Sequence, residues 1–527
     1  MILRKVLGAA LAAASLCAAS PFVTAQELSI ALSTPVTTMD PHFHNLSPNN
    51  SLAKHVFETL VHQDDQQALK PGLAESWRAL DSTTWEIKLR KNVRWHDGTP
   101  FTAEDVLATL RRIPNVPNSP ASFAIYTRPI IEAKAADANT VIMKTREPHP
   151  LLPNDLATIH VIPKKVEAMS TPDFNSGKAV IGTGPYKFAE YVSGDRVVLT
   201  VNDKYWGAKP AFAKVRFRMI TNSAARVAAL LAGDVQMIEA VPTADIEKLK
   251  KDARVSLAST VSNRIIYLHM DSGREKNSPF VTDVAGKPME ANPLRDPRVR
   301  KALSKMIDRN AIASRIMEGE AKPAGQFLPE TFHGTSKKLS PDKYDPEGAK
   351  KLLAEAGYPN GFGLTLHTPN NRYINDEKIS QAVAQFLTRG GIPTKVEAMP
   401  SAVFFSRGSK LEFSFLLAGW GAGTGENSSP LRSLVATFDA KLGNGGANRG
   451  RFSDAGVDAM INTALTTIDD TKRGIMLAAA TDKAIGEMMG VIPVHYEIST
   501  WGVKKGLAYK ARVDQYTLAH EVVQAKK

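Results

Sequence analysis

Apolar and polar residues alternate in short runs along the chain, and stretches with a helical period lie between them. Trp85, Ile87 and Leu89 share one face of Trp85-Glu86-Ile87-Lys88-Leu89-Arg90, and Val215, Phe217 and Met219 share another with Arg216 and Arg218 opposite. Both segments are expected to be half-buried strands. Phe413-Ser414-Phe415-Leu416-Leu417-Ala418 is apolar almost throughout and reads as a buried strand. Helix starts are marked by Thr102 with Asp105 three residues on, and by Asp296-Pro297 and Asp345-Pro346, where proline takes the first helical position. Gly233, Gly357 and Gly390 each follow a periodic apolar stretch and are expected to be left-handed caps. With no fixed-period repeat, the pattern predicts a mixed α/β protein.

Turn formers cluster at 114–120, 272–297 and 421–430. The second cluster has charges, glycine and proline but little periodicity, and is expected to be a domain boundary. The third places a glycine-rich loop beyond the C-terminal end of a buried strand, where open α/β sheets bind ligands.

Composition narrows the class. At roughly 150 residues per domain, 527 residues allow two to four domains. With 43% hydrophobic and 23% charged residues, disorder, collagen and a multi-span membrane protein are poor fits. The formal charge of +13 is not clustered, and the 7% of aromatic residues do not interleave with a basic stripe, so no nucleic-acid partner is expected. Residues 1–25 read as a secretory signal peptide: Arg4 and Lys5, then a short apolar run, then Val23-Thr24-Ala25 as cleavage site. The mature chain would start near Gln26 with a balance of +11, without the single cysteine, Cys17. Leu16 stands where a lipoprotein needs a small residue, which speaks against an anchor at Cys17. Without Cys17, cysteine nucleophiles and thiolate metal sites are excluded.

Catalytic motifs fail their own tests. Gly421-Ala422-Gly423-Thr424-Gly425-Glu426 has Glu426 where a dinucleotide fingerprint has its third glycine, and no phosphate-cradling G-x-x-x-x-G-K-[ST] run exists. Ser51/Lys54 and Ser340/Lys343 form Ser-x-x-Lys pairs without the companion motifs. His42 and His44 lack a third ligand close in sequence, and His96-Asp97-Gly98 reads as a turn. The expectation is a protein that is not an enzyme, with no cofactor and no metal.

One set of landmarks is ordered along almost the whole chain. In sequence these are Met39-Asp40-Pro41-His42, Val56-Phe57-Glu58-Thr59-Leu60-Val61, Pro71-Gly72-Leu73-Ala74-Glu75-Ser76-Trp77, the run from Leu89 to Val106, and Gly182-Thr183-Gly184-Pro185-Tyr186-Lys187-Phe188. The C-terminal half adds Asp296 to Leu303, Tyr344-Asp345-Pro346-Glu347 with Ala349 to Tyr358, and Gly419-Trp420. In this the chain resembles the family 5 extracellular solute-binding proteins of ABC transporters, which include dipeptide, oligopeptide, glutathione and nickel binders. The resemblance implies an α/β, two-lobed periplasmic binding protein fold of class II type, with mixed sheets and an additional inserted domain. Lobe 1 would comprise 26–58, 187–272 and 492–527, the inserted domain 59–186, and lobe 2 273–491. The runs Leu89–Val106 and Gly182–Pro185 are read as scaffold, since glycine and proline at these spacings have a backbone explanation.

The implied function is a monomeric periplasmic receptor that closes over a small molecule or short peptide and delivers it to an inner-membrane ABC permease. The alternatives are a secreted hydrolase, or a ligand-sensing or chaperone role of the same fold. Trp420, at the strand end before the glycine-rich loop, is expected to stack on the ligand. Phe43 and His44 are expected to supply the opposite wall, and Arg372 to hold a carboxylate. In dipeptide binders the loop after Gly-Trp is rich in aspartate. Here Glu426 is its only acid, so a ligand amine would be held only if Glu426 points inward.

Overall fold

The computed structural model describes residues 27–525. The expected signal peptide, 1–25 with Cys17, lies outside them. A mixed sheet of twelve strands runs through the molecule, and its spine is two long antiparallel strands, Val255–Met270 and Val491–Lys504. Toward one end, Met237–Ile238 joins the spine to Glu27–Leu32, which pairs in parallel with Lys214–Met219. Toward the other, Phe415–Gly421 pairs antiparallel with Val255–Met270 and parallel with Gly363–Pro369.

The spine changes partners at its middle. Pairing runs regularly from Val255↔Lys504 to Val261↔Ile498, then resumes at Ile265↔Tyr496, so Ser262, Asn263 and Arg264 stand opposite Glu497 alone. Extra residues in one strand, two here, bend the ladder and increase its twist. Packing changes there too. Before the bulge, Val255, Trp501 and Val503 belong to cores built around Leu28, Ile30 and Ala31. Beyond it, Ile266, Leu268 and Met270 pack with Leu417, Ile492 and Val494 on one face, and Ile265 and Tyr267 with Leu416, Ala418 and Val491 on the other. A strand covered on both faces needs apolar residues without alternation, and 413–418 supplies them.

The predicted strand at 85–90 forms as Thr84–Leu89 in a separate four-stranded antiparallel sheet, with Trp85, Ile87 and Leu89 buried. Helix Ala103–Arg112 packs in the same core through Val106 and opens with the expected capping box. The Asp105 carboxylate accepts the Thr102 N–H at 2.9 Å and the Trp95 Nε1–H at 3.2 Å, so one acid ties the turn to the helix. Asp296 and Asp345 cap their helices by accepting from Arg298 N and Gly348 N, each at 2.8 Å. Gly233 and Gly357 are left-handed, with φ of 86° and 92°. Gly390 is not: it stays helical at φ −75°, and Gly391 takes the turn at φ 96°. Adjacent glycines leave the sequence pattern one residue of slack, and the contact of Gly390 with Met306 fills it.

Two landmark segments have structural work. Arg112 donates to both oxygens of buried Asp40, at 2.8 and 2.6 Å, and to His42 Nδ1 at 2.9 Å. Burial holds the His42 pKa down to about 4, so the ring is neutral and donates Nε2–H to the His160 carbonyl at 2.7 Å. His44 points elsewhere, to the Thr37 hydroxyl at 3.1 Å. At Gly182 an added Cβ would lie 1.7 Å from the Val56 carbonyl oxygen, so only glycine permits this approach.

Glu58, in another landmark, is buried and accepts from Tyr205 OH at 3.0 Å and Trp206 Nε1 at 2.8 Å. Burial raises its pKa to about 7, against the lowering effect of those bonds and of Arg90. A carboxyl raised on folding favours the folded state fully below its unfolded pKa of 4.5, and that contribution is lost as pH rises through about 7. Glu58→Gln can still accept from Trp206 and donate to Tyr205. It is therefore expected to flatten the fall in melting temperature between pH 5 and 8 and to gain on the order of 2 kcal/mol at pH 8. Parallel melting curves of both proteins that keep the same pH slope would refute this.

Candidate functional site

The glycine-rich loop after Gly421 is gripped from the opposite side by side-chain amides. Asn154 Nδ2 donates to Thr424 O at 2.7 Å, Gln63 Nε2 to Gly423 O at 3.2 Å, and Gln67 Nε2 to the carbonyls of Ala422 and Gly423. Buried Asn263, at the bulge of the spine, joins Gln67 Oε1 at 2.8 Å to Ala422 O at 3.0 Å. A small apolar cluster, Leu328, Phe332, Ala422 and Val513, closes beside them. The loop's other end is tied to its own side: Asn427 N reaches His333 O at 3.1 Å and Asn427 Nδ2 the Thr481 hydroxyl at 2.6 Å. The facing surfaces here form the candidate cleft.

Trp420 is half-buried, with Nε1 donating to Ser429 Oγ at 3.1 Å. It leans on the core face that holds Leu416 and Ala418. Strand alternation puts Gly419 on the other face, where an added Cβ would lie 2.7 Å from the Tyr373 ring and Tyr373 OH donates to Gly419 O at 3.1 Å. Arg372 is exposed, with its guanidinium 5.2 Å from the Tyr373 ring centroid. Trp420 and Arg372 thus flank the end of the strand on opposite faces. Phe43 and His44 are half-buried. The Phe43 carbonyl accepts from Ser119 Oγ at 2.6 Å, and neighbouring Asn45 donates to Tyr126 OH at 3.2 Å. Burial lowers the His44 pKa.

Glu426 is 3% exposed, and its Oε2 accepts from Arg473 Nη2 at 2.8 Å. Its other oxygen has no protein partner, nor do Thr424 Oγ1, Asn427 Oδ1, Ser428 Oγ and Arg473 Nε, all buried. These five buried polar atoms lack a partner among the described residues, and each costs about 1–3 kcal/mol if left alone. His333, Glu426 and Asp470 also bring ligand atoms within 4.8 Å of one another, but Arg473 bonds both carboxylates and a cation would have to displace it.

Several residues of this surface were missed by the sequence reading. Arg264 donates to Gln515 Oε1 at 2.8 Å and lies 3.4 Å from Glu497, and burial lowers its pKa, with the charge of Arg372 adding to the effect. Lys54 lies 5.8 Å over the Tyr516 ring, and burial brings its pKa down to about 8. Asp155 bonds His149 Nε2 at 2.7 Å and is raised by burial, with Glu426 adding to the rise. Arg432 is lowered by burial and by Arg128 across the cleft. A signal was present for some of these: Ser262-Asn263-Arg264 and Glu497 interrupt otherwise apolar strands.

The profile of the family described as Bacterial extracellular solute-binding proteins, family 5 Middle, matches residues 68–441. The glutathione-binding protein GsiB of Pectobacterium atrosepticum is 29% identical over 475 residues, 88% of each chain. Among solved structures, the periplasmic binding protein DppA of Helicobacter pylori in complex with the peptide STSA superposes with a TM-score of 0.79 at 22% identity, covering 95% of this chain and 98% of that one. The binding protein AgaA of A. tumefaciens R10, in complex with agropinic acid, gives 0.77 at 24% identity over 95% and 99%. The two structures show a shared fold along nearly the full length.

Proposed function

The chain belongs to the family 5 bacterial extracellular solute-binding proteins, and from that premise we propose that its cleft captures a small anionic solute carrying at least one carboxylate. As the binding component of an ABC importer it captures its solute by lobe closure and delivers it to the membrane permease, which is the work of a transport protein and not of an enzyme. No helix among the described residues is long and apolar enough to cross a membrane. Export through a cleaved signal peptide at 1–25 is part of the same proposal.

The charge of the facing surfaces carries the reading. Three acids of the cleft are already paired, Asp155 with His149, Glu426 with Arg473 and Glu497 with Arg264, and Asp376 is held by the Arg372 and Tyr373 N–H groups. Lys54, Arg128 and Arg372 have no salt bridge among the described residues. Like charges also act on each other here, Arg128 on Arg432 and Arg372 on Arg264. An anion between them relieves that repulsion, so it binds the closed form better than the open one and shifts the population toward it. Glutathione and agropinic acid, which two relatives are named as binding, are both carboxylates.

In this reading Arg372 clamps the carboxylate and Trp420 stacks on the solute. Glu426 keeps Oε1 for a solute N–H, and Phe43 and His44 form the far wall. The lobes follow the division expected above except at their crossings, which move from 272–273 and 491–492 into the spine at 261–265 and 496–498, where the ladder slips. Mass spectrometry of the ligand released on denaturation is the direct test: a neutral or cationic solute would defeat the proposal.

A pH dependence follows from Lys54. Its amine is charged below about 8 and neutral above, so affinity for an anion should fall as pH rises through that value. A charge-assisted hydrogen bond of about 2 kcal/mol makes the loss roughly tenfold or more. Calorimetry at pH 7 and 9.5 should show this step in the natural protein and none in Lys54→Met; an equal step in both would remove Lys54 from the site.

A further inference from the structure

Two cavities outside the cleft each contain three arginines, and only the second is left with a net positive charge. The first, about 640 Å³, is lined by Arg196, Arg216 and Arg218 together with four acids. Arg216 bonds Glu27, and Arg196 bonds Glu190 and Asp195, so that wall largely neutralises itself. The second, about 550 Å³, is lined by Arg295, Arg300 and Arg451, with Phe438, Thr437 and Ser272 among the others, and by no acidic side chain. We propose that this second cavity binds a small organic oxyanion, a phosphate or carboxylate compound distinct from the transported solute.

The arginines are fixed in place without being neutralised. Buried Arg300 donates to the carbonyls of Leu294 at 2.8 Å, Arg295 at 2.7 Å, Met489 at 3.0 Å and Met488 at 2.5 and 3.1 Å, and to no carboxylate among the described residues. Arg451 has a φ of 51°, a conformation few L residues adopt, and its Cβ backs onto Gly273, where an added Cβ would lie 2.6 Å away. That strained backbone aims the guanidinium over the half-exposed Phe438 ring, 4.0 Å from its centroid, with one further bond to Asn448 O at 3.1 Å. Arg295 has only exposed Glu275, 3.6 Å away. Asp458, which Thr437 touches, already accepts the Thr437 N–H and hydroxyl. The helix Pro297–Lys305 begins at the cavity, but its end is already capped by the Asp296 carboxylate, which also acts on Arg300, so the positive charge of the site comes from the arginines.

The site is independent of the cleft. Ser272 follows the spine strand that carries Arg264, eight residues back, or about 25 Å at the usual strand rise. Lobe motion at 261–265 leaves it intact, and its volume exceeds that of a bare phosphate, so the Phe438 ring can cover an organic group.

Pyrophosphate and citrate are the probes, titrated by calorimetry into the full chain at low and high salt. Saturable binding is expected, weakened at least tenfold in Arg451→Gly and weakened by salt, and retained in Arg372→Ala. Glycine suits the φ of this position, so Arg451→Gly should keep its melting temperature, and Arg295→Gln gives a second variant that leaves the backbone alone. Absence of saturable binding by either probe, binding unchanged in both Arg451→Gly and Arg295→Gln, or binding lost in Arg372→Ala would overturn the proposal.

Discussion

Arg473→Met should lower the stability of the protein by about 3–5 kcal/mol, the usual cost of removing one partner from a buried ion pair. Glu426 and Arg473 are 3% and 5% exposed, and the 2.8 Å bond between them is the only one Glu426 Oε2 has to an arginine. With methionine at 473 the carboxylate stays in a place where Oε1 already lacks a protein partner. Either it protonates or the loop opens to let water in. Removing both charges, as in Glu426→Gln with Arg473→Met, leaves nothing uncompensated and should recover most of the loss. Urea denaturation of the single and double variants measures the difference. If the single variant is as stable as the natural protein, the pair does not hold the loop in solution. The loop also carries the carbonyls gripped by Gln63, Gln67 and Asn154, so solute affinity should fall with stability in Arg473→Met.

Trp420→Ala should weaken solute binding by about 2–4 kcal/mol, the size of an aromatic hot spot, which is roughly 30- to 1000-fold in affinity. The indole is half-buried at the end of Phe415–Gly421 and is held by Ser429 through Nε1. Because one side of the ring leans on the core with Leu416 and Ala418, the melting temperature should fall as well. Trp420→Phe separates the two effects. It keeps most of the packing and a stacking face and loses the hydrogen bond, so it should recover stability more than affinity is lost. Calorimetry with the identified solute, alongside melting curves, decides. An unchanged dissociation constant in Trp420→Ala with a sharply lower melting temperature would make the residue core and remove it from the cleft.

Periodicity and capping residues by themselves determined the local structure. The strand with Trp85, Ile87 and Leu89 inward, the box of Thr102 and Asp105, and the caps of Asp296 and Asp345 are all set by interactions within a few residues, and so were readable. The ordered landmarks carried the family, and the structure gives some of them a physical reason: Asp40 braces Arg112, and Gly182 lets the chain pass against Val56.

Only the tertiary structure decided what depends on residues far apart in sequence. Gly390 and Gly391 are alike as letters, and only the fold shows that Gly391 takes the left-handed turn while Gly390 packs against Met306. Glu426 read as a free acid in a glycine-rich loop, and Arg473 comes to it from a helix 47 residues on. Trp420 and Arg372 are both expected to meet the ligand, and only the fold shows that they flank the end of Phe415–Gly421 from opposite faces. Which arginines remain unneutralised, in the cleft and in the far cavity, depends on the distance from each guanidinium to every carboxylate in the folded chain. Charge can be counted along a sequence, but its pairing is a property of three-dimensional distance.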